Sequence, residues 1–353
     1  MEEQKVIVSA QLEPTLEKTI NEIPDDRRYV LVDETTEALC LPMVQAFDCM
    51  KGVEKIVIPA GDSNKNLESL AHVWTELQRL GATRHSLLIN LGGGMVTDLG
   101  GFAASTFKRG LHLINIPTTL LAMVDASVGG KTGINFGGLK NEVGVFRNAD
   151  AVILDPVFLK TLDRKNILSG YAEMLKHGLI ATDGNGAMLS ELLDFDVEHP
   201  DLSLLGRMVV DSVKVKQRVV LEDPTEKGLR KALNLGHTVG HAFESLALER
   251  KPVLHGYAVA WGLVCELYLS VAKTGFPVAK MRQVVHFINE HYGRMNISCD
   301  DYPTLLQLMT HDKKNIAGEI NFSLLADVGS LRLNQTATKA EIEEALDFYR
   351  DGQ

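Results

Sequence analysis

Three short strings, far apart in the chain, hold the residue types of a catalytic metal site: Ala172-Glu173-Met174-Leu175-Lys176, Asn234-Leu235-Gly236-His237-Thr238-Val239-Gly240-His241 and Leu254-His255-Gly256. One carboxylate and two imidazoles suit zinc. Such a set leaves a coordination position open, where a substrate oxygen becomes easier to deprotonate or oxidise. Upstream, Leu91-Gly92-Gly93-Gly94-Met95-Val96-Thr97-Asp98 is a glycine-rich turn of the kind that lets backbone amides approach a pyrophosphate. Metal and dinucleotide together point to enzyme chemistry on a polyol or ketone.

Each signal taken singly has a plainer reading. His237 and His241 are four apart and share one helical face, so spacing alone would make both of them ligands, yet either could simply be bonded inside a helix packing. Thr238 stands where HExxH has its glutamate, which argues against a metalloprotease. Glu173 could pair with Lys176 or His177 on its own helical face, and His255 alone says almost nothing. Gly92 and Gly94 supply two positions of GxGxxG, with Thr97 in place of the third glycine; the apolar run before the turn, the helical pattern after it, Asp98 and Gly100-Gly101 strengthen it. The stretch from Pro117 to Thr132 ends like a phosphate-binding loop. It is not a Walker loop, because Asp125 sits where that pattern needs glycine and about a dozen residues separate it from the preceding strand. Its hydroxyls, aspartate and Lys131 still suit a polar anionic ligand.

The elements that must position these groups follow from periodicity. Tyr29–Val32, Lys55–Pro59, Ser86–Leu91, His112–Ile116 and Ala151–Leu154 read as strands, with a helical stripe of Leu67, Leu70, Trp74 and Leu77 between the second and third. That alternation implies βαβ units and a parallel sheet. From about Arg164 long helical stretches take over, with a late β-like run at Ile320–Ala326. The last helix opens on a capping box from Thr338 to Glu341 and carries Ile342, Leu346 and Tyr349 on one face. The fold class is therefore α/β: a parallel-sheet domain over residues 1–164, then a mostly α-helical domain over residues 165–353, in keeping with a chain of 353 residues.

A net charge of −10 argues against nucleic acid as a partner but leaves anionic small molecules open. Cys40, Cys49, Cys265 and Cys299 show no CxxC pairing and read as reduced thiols. The sequence begins without a signal-peptide pattern, and no run of about eighteen apolar residues occurs, so a soluble, cytoplasmic protein with no membrane partner is expected.

Together, the strings GGGMVTDLGGFAASTFKRG, PTTLLAMVDASVGGKTGIN, LKNEVGVF, AEMLKHG, GLRKALNLGHTVGHA and LHG resemble the 3-dehydroquinate synthases in order and spacing, from roughly Lys55 to Val328. The resemblance implies a Rossmann-like domain binding NAD, a helical domain holding Zn2+ or Co2+, and a homodimer. It implies a sugar phosphate substrate, 3-deoxy-D-arabino-heptulosonate 7-phosphate, converted to 3-dehydroquinate and phosphate. The route is transient oxidation at C5 by NAD, phosphate elimination, return of hydride and intramolecular aldol closure. It places the metal on Glu173, His237 and His255, which makes His241 a neighbour and not a ligand. NAD would lie on Gly93 and Gly94, with Asp98, Thr118 and Thr119 near the ribose and nicotinamide, Asp62 and Lys65 on the adenine side, and Lys131 and Lys140 on the cofactor side of the site. Substrate groups would meet Asp125, Lys131, Asn141, Lys176, Lys216, Arg230, Asn234, His241 and Lys313, and Arg109 would reach the phosphate across the dimer interface.

The chain also departs from the family pattern. Tyr257 stands where the family often has glutamate, and Glu34, Thr36 and Asp62 replace the usual adenosine contacts. Related sugar phosphate cyclases and iron-dependent polyol dehydrogenases are the nearest alternatives; Leu233-Asn234 and His241 favour the dehydroquinate reading. A silent scaffold would be expected to have lost one of Glu173, His237, His255 or Lys131, and all are present.

Overall fold

The apolar runs of the first half become a parallel sheet in this computed structural model, which describes residues 4–137, 139–310 and 320–352. Its strands are β1 (Val6–Val8), β2 (Arg28–Asp33), β3 (Glu54–Ile58), β4 (Leu87–Gly92), β5 (His112–Pro117) and, after a hairpin of β6 (Lys131–Phe136) and β7 (Leu139–Phe146), β8 (Ala151–Leu154). The order across the sheet is β1-β8-β5-β4-β2-β3, every pairing parallel. All residues of β4 and β8 are buried, as expected of a sheet covered on both faces, whose strands read as near-continuous apolar runs; the one polar side chain in β4, Asn90, donates to Asn115 of β5 at 2.8 Å. The five strands expected from sequence are all present; β1, a three-residue edge strand, was not among them.

The helix Leu67–Arg79 is also present, but its inner face differs from the expected stripe. Ser69, Leu70, Val73 and Leu77 are buried, whereas Leu67, the first helical residue, is 49% exposed and Trp74 is only partly covered. The stretch after β5 forms a π-helical turn, Ala122–Ala126, and then the antiparallel β6–β7 hairpin, in which Gly133 pairs with Gly144. A Cβ on Gly144 would lie 2.0 Å from the Thr132 carbonyl oxygen, so the two backbones meet where neither has a side chain. Phe136, Leu139, Val143, Val145 and Phe146 of this hairpin are exposed.

Two compact units partition the chain, Met1–Asp163 with Asp201–Val213, and Arg164–Pro200 with Lys214–Gln353. In the second unit the helix His255–Thr274 is buried at almost every position from Ala258 to Leu267, the mark of a central helix covered on all sides. It packs against Arg164–Ile180, His237–Leu248, Val278–Tyr292 and Lys339–Asp351. A two-stranded hairpin of β9 (Asn321–Asp327) and β10 (Ser330–Thr336) completes the unit; only β9 had a sequence signal. The final helix opens on the expected capping box, Thr338 with Glu341, and buries Ile342, Leu346 and Tyr349. The four cysteines are free, and no helix among the described residues is long and apolar enough to cross a membrane.

Candidate active site

Glu173, His237 and His255 come from three helices of the second unit, and the local sequence explains why those helices approach so closely. Gly256, beside His255, abuts the helix Arg164–Ile180: a Cβ there would fall 1.8 Å from the Ser169 carbonyl oxygen, and the Gly256 amide donates to Ser169 Oγ at 3.2 Å. Ser169 lies one turn before Glu173. Gly262 makes the second contact, since a Cβ on it would lie 2.0 Å from the Gly236 carbonyl oxygen and 2.6 Å from the Gly240 nitrogen. One turn after Gly262 the fully buried Glu266 accepts from the amides of Gly236 (2.7 Å) and Val239 (3.1 Å). A carboxylate at a helix N-terminus is favourable. Here it joins the helix that carries His255 to the first turn of the helix that begins at His237.

The donor atoms of Glu173, His237 and His255 all lie within 4.8 Å of one another. Glu173 is fully buried; its Oε1 faces His237 Nε2 at 3.1 Å and His255 Nε2 at 3.5 Å, and Lys176, one turn along the same helix, contacts Oε2. Neither carboxylate oxygen accepts a well-directed hydrogen bond. A buried carboxylate in that condition costs stability unless something else satisfies it, and with two imidazole nitrogens aimed at the same point the donor set fits a divalent cation. The pairing of Glu173 with Lys176 that sequence offered as a plain alternative also exists, so the two readings are not exclusive.

The electrostatics set the two imidazoles apart. Burial opposes ionisation of Glu173, but Lys176 and His237 hold its carboxyl well below the usual range. Burial, with Lys176 and His241 adding to it, pushes His237 down to about 4 despite Glu173, leaving the neutral imidazole a ligand requires. His255 moves the other way: burial alone would lower it, but the carboxylates of Glu244 and Glu173 push it up to about 10.

Other expected residues of this unit gather nearby. The His241 ring is 5.3 Å from that of His237 and 5.9 Å from that of His255. Lys176, Lys216 and Arg230 are buried cations, and Arg230 donates to the Pro224 carbonyl at 2.7 Å. Asn234 donates to Glu226 at 2.8 Å. Sequence reasoning missed Glu226, which sits in an irregular loop, and Glu244, although His237, His241 and Glu244 share the i, i+4, i+7 spacing of one helical face. The Tyr257 ring packs on Tyr292 and Trp261 at 5.2 and 6.2 Å. Lys313 lies outside the described residues.

In the first unit, β4 ends at Gly92 and Gly93 begins the helix Gly94–Thr106, whose N-terminus has no side-chain cap. A Cβ on Gly93 would lie 3.1 Å from Thr119 Cγ2, and one on Gly94 3.1 Å from Ala126 Cβ. Bare backbone at a helix N-terminus after a parallel strand fits a pyrophosphate. Thr118 is buried, its amide bonded to the Gly92 carbonyl at 3.0 Å. Lys65 joins Asp98 at 3.1 Å and Asp62 at 3.6 Å, and Lys140 reaches Asp62 at 3.1 Å, so four expected cofactor residues form one charged group. Of the residues expected on the adenosine side, Thr36 is buried in a helix-capping box with Asp33, and Glu34 accepts from the Ala60 amide at 3.4 Å.

Asp125 lies in the π-helical turn and Lys131 is exposed at the start of β6. Arg109 and Asn141 have left-handed backbones (φ 68° and 51°), as does Glu226 (62°). That conformation costs roughly 1–3 kcal/mol for a residue other than glycine and collects at functional positions.

This architecture is shared with sugar phosphate cyclases. The 2-epi-5-epi-valiolone synthase of Streptomyces hygroscopicus subsp. jinggangensis, solved with NAD+ and Zn2+, aligns with a TM-score of 0.83 and 26% identity over 99% of this chain and 97% of its own. A 2-deoxy-scyllo-inosose synthase solved with carbaglucose-6-phosphate, NAD+ and Co2+ aligns with a TM-score of 0.86 over 99% and 96% of the two chains; at 22% identity it shows the fold alone. At the sequence level, residues 55–169 match the 3-dehydroquinate synthase N-terminal family and residues 170–315 the 3-dehydroquinate synthase C-terminal family. A 3-dehydroquinate synthase of Parabacteroides distasonis is 54% identical over 352 residues, 99% of each chain, and one of Pyrococcus furiosus is 38% identical over 326 residues, 92% of this chain and 93% of its own. The chain belongs to the 3-dehydroquinate synthase family.

Proposed function

We propose that this chain converts 3-deoxy-D-arabino-heptulosonate 7-phosphate to 3-dehydroquinate and inorganic phosphate, and that Glu173, His237 and His255 hold its divalent cation. The observation that carries the metal assignment is the buried Glu173 carboxylate facing two imidazole nitrogens without a hydrogen bond of its own. When bound, NAD supplies a hydride acceptor that returns its hydride within each turnover, and the cation lowers the pKa of the substrate hydroxyl being oxidised.

The chain's own residues bind, orient and neutralise. Lys176, Lys216 and Arg230 present buried positive charge to the substrate's anionic groups, where a low dielectric strengthens each contact. Asn234, its amide held by Glu226, and His241, one turn from His237, orient the ring hydroxyls. Asp125, Lys131, Asn141 and Lys313 complete the substrate set. Gly93 and Gly94 receive the pyrophosphate of NAD, with Asp98, Thr118 and Thr119 toward the ribose and nicotinamide, Asp62 and Lys65 toward the adenosine, and Lys140 on the cofactor side. The enzyme works as a homodimer in the cytoplasm, with Arg109 contacting phosphate in the partner's site; the exposed apolar side chains of the β6–β7 hairpin support a protein partner.

The test is phosphate release from the heptulosonate phosphate by protein stripped of metal and nucleotide, with Zn2+ and NAD added back singly and together. Activity should need both, with no lasting absorbance near ~340 nm, because hydride is returned. Release indifferent to both additions would overturn the mechanism, and stoichiometric NADH would identify a polyol dehydrogenase instead.

A further inference from the structure

The helix His237–Leu248 places a third functional side chain on the face that carries His237 and His241. Glu244, two turns after His237, is buried, and its Oε2 lies 3.2 Å from Nδ1 of His255, which belongs to a different helix. The two nitrogens of that imidazole face two carboxylates: Nδ1 faces Glu244, and Nε2 faces Glu173 at 3.5 Å. We propose that Glu244 is a positioning residue for the metal ligand His255, fixing its ring orientation and tautomer and making it the stronger donor of the two imidazoles. This rests on the metal assignment above.

The argument is one of proton placement. A cation binding here would displace one proton from His255, and the neutral imidazole that remains has one N–H and one lone pair. A carboxylate at 3.2 Å from Nδ1 holds the proton there, so the lone pair of Nε2 points toward Glu173 and the common ligand position. His237 is held differently, its Nδ1 donating to the Leu235 carbonyl at 3.1 Å. That acceptor is neutral. An ionised acceptor makes a hydrogen bond roughly twice as strong as a neutral one and leaves the ring more electron-rich. Glu244 also ties His255 to the helix bearing His237, so the distance between the two ligands is set by a side-chain contact as well as by glycine packing. The same carboxylate lies within 4.8 Å of His241 and His255 donor atoms, which could suggest a second cation. A direct carboxylate–imidazole hydrogen bond already occupies that direction, so the positioning role is the one the geometry favours.

The experiment uses the full chain freed of metal, with Zn2+ affinity read by competition against a chromophoric chelator and the visible spectrum of the Co2+ form recorded in parallel. Glu244→Gln keeps an acceptor but loses the charge, and Glu244→Ala loses both; Glu249→Gln, an exposed change just past the C-terminal end of the same helix, is the control. Zn2+ affinity should fall by about 10-fold in Glu244→Gln and by up to ~100-fold in Glu244→Ala, the usual range for removing a ligand's supporting partner. The Co2+ spectrum should shift, and the loss of Zn2+ affinity in Glu244→Gln should exceed any loss of stability of the metal-free protein. If Glu244→Ala does not fold, the isosteric Gln variant decides. Wild-type affinity in Glu244→Gln, or an affinity loss matched by lost stability of the metal-free protein, overturns the proposal, as does a stoichiometry of two ions per chain falling to one. Glu173→Gln separates the two readings: if it too leaves Zn2+ affinity unchanged, the metal assignment itself has failed.

Discussion

Replacing Gly256 by alanine tests whether helix packing sets the metal geometry. The added Cβ would lie 1.8 Å from the carbonyl oxygen, 2.5 Å from the carbonyl carbon and 2.6 Å from the Cα of Ser169. All three are backbone atoms, so no side-chain rotation relieves the clash. An ordinary carbon–oxygen contact is roughly 3.3 Å, so the helix His255–Thr274 must withdraw by about 1.5 Å at this end. His255 is the neighbouring residue and Glu173 follows Ser169 by one turn, so most of that displacement falls on the 3.5 Å separation of His255 Nε2 from Glu173 Oε1. Metal sites tolerate errors of about 0.2 Å in ligand distance. Overpacking of this kind also costs about 1–3 kcal/mol of stability. Gly256→Ala should therefore lower the thermal midpoint of the metal-free protein modestly and reduce Zn2+ affinity severely, with phosphate release falling in step. Zinc affinity and turnover equal to wild type would show that the glycine contact does not set the ligand distances.

Three further outcomes follow from the same structure. Arg230→Ala should cost about 2–4 kcal/mol in kcat/KM for phosphate release, the usual scale for losing one preorganised charged donor; unchanged kinetics would remove it from the substrate site. Glu266→Ala leaves the buried amides of Gly236 and Val239 without their acceptor, and at about 1–3 kcal/mol each should lower the urea unfolding free energy by roughly 2–6 kcal/mol; a variant as stable as wild type would show that the carboxylate is not holding that turn. The bond from Lys273, aided by the Thr338 cap, brings Glu341 down to about 2 from an ordinary 4.5. Its folded value is depressed, so its contribution is present above about pH 4.5 and is lost as pH falls toward 2. The stability gap between wild type and Glu341→Gln should be small, because the pair is partly exposed, and should close over that window; a gap independent of pH would refute the ionic origin.

The parallel strands were legible because burial on both faces leaves a chemical trace along the chain, an unbroken apolar run such as Ala151 to Leu154. The β6–β7 hairpin left no such trace. Its strands are partly or wholly exposed and interrupted by Gly133 and Gly144, whose role is to let two backbones touch, and that is a property of the pair and not of either strand. The inner face of the helix Leu67–Arg79 was misjudged for a related reason: an apolar residue at the first turn can stay in solvent when nothing packs over it, as Leu67 does.

At the site the division is similar. The sequence by itself determined the inventory: one acidic and several imidazole side chains in apolar surroundings, a glycine turn between a strand and a helix, and a set of cations in an acidic chain. Spacing along a helix states only which residues share a face. It could not decide between His237 and His241 as partners of Glu173, or show that Glu244 addresses His255 and Glu266 addresses the amides of Gly236 and Val239. Those pairings join residues on different helices. They depend on how near the helices can come, and that is set in three dimensions by the absence of a Cβ at Gly256 and Gly262.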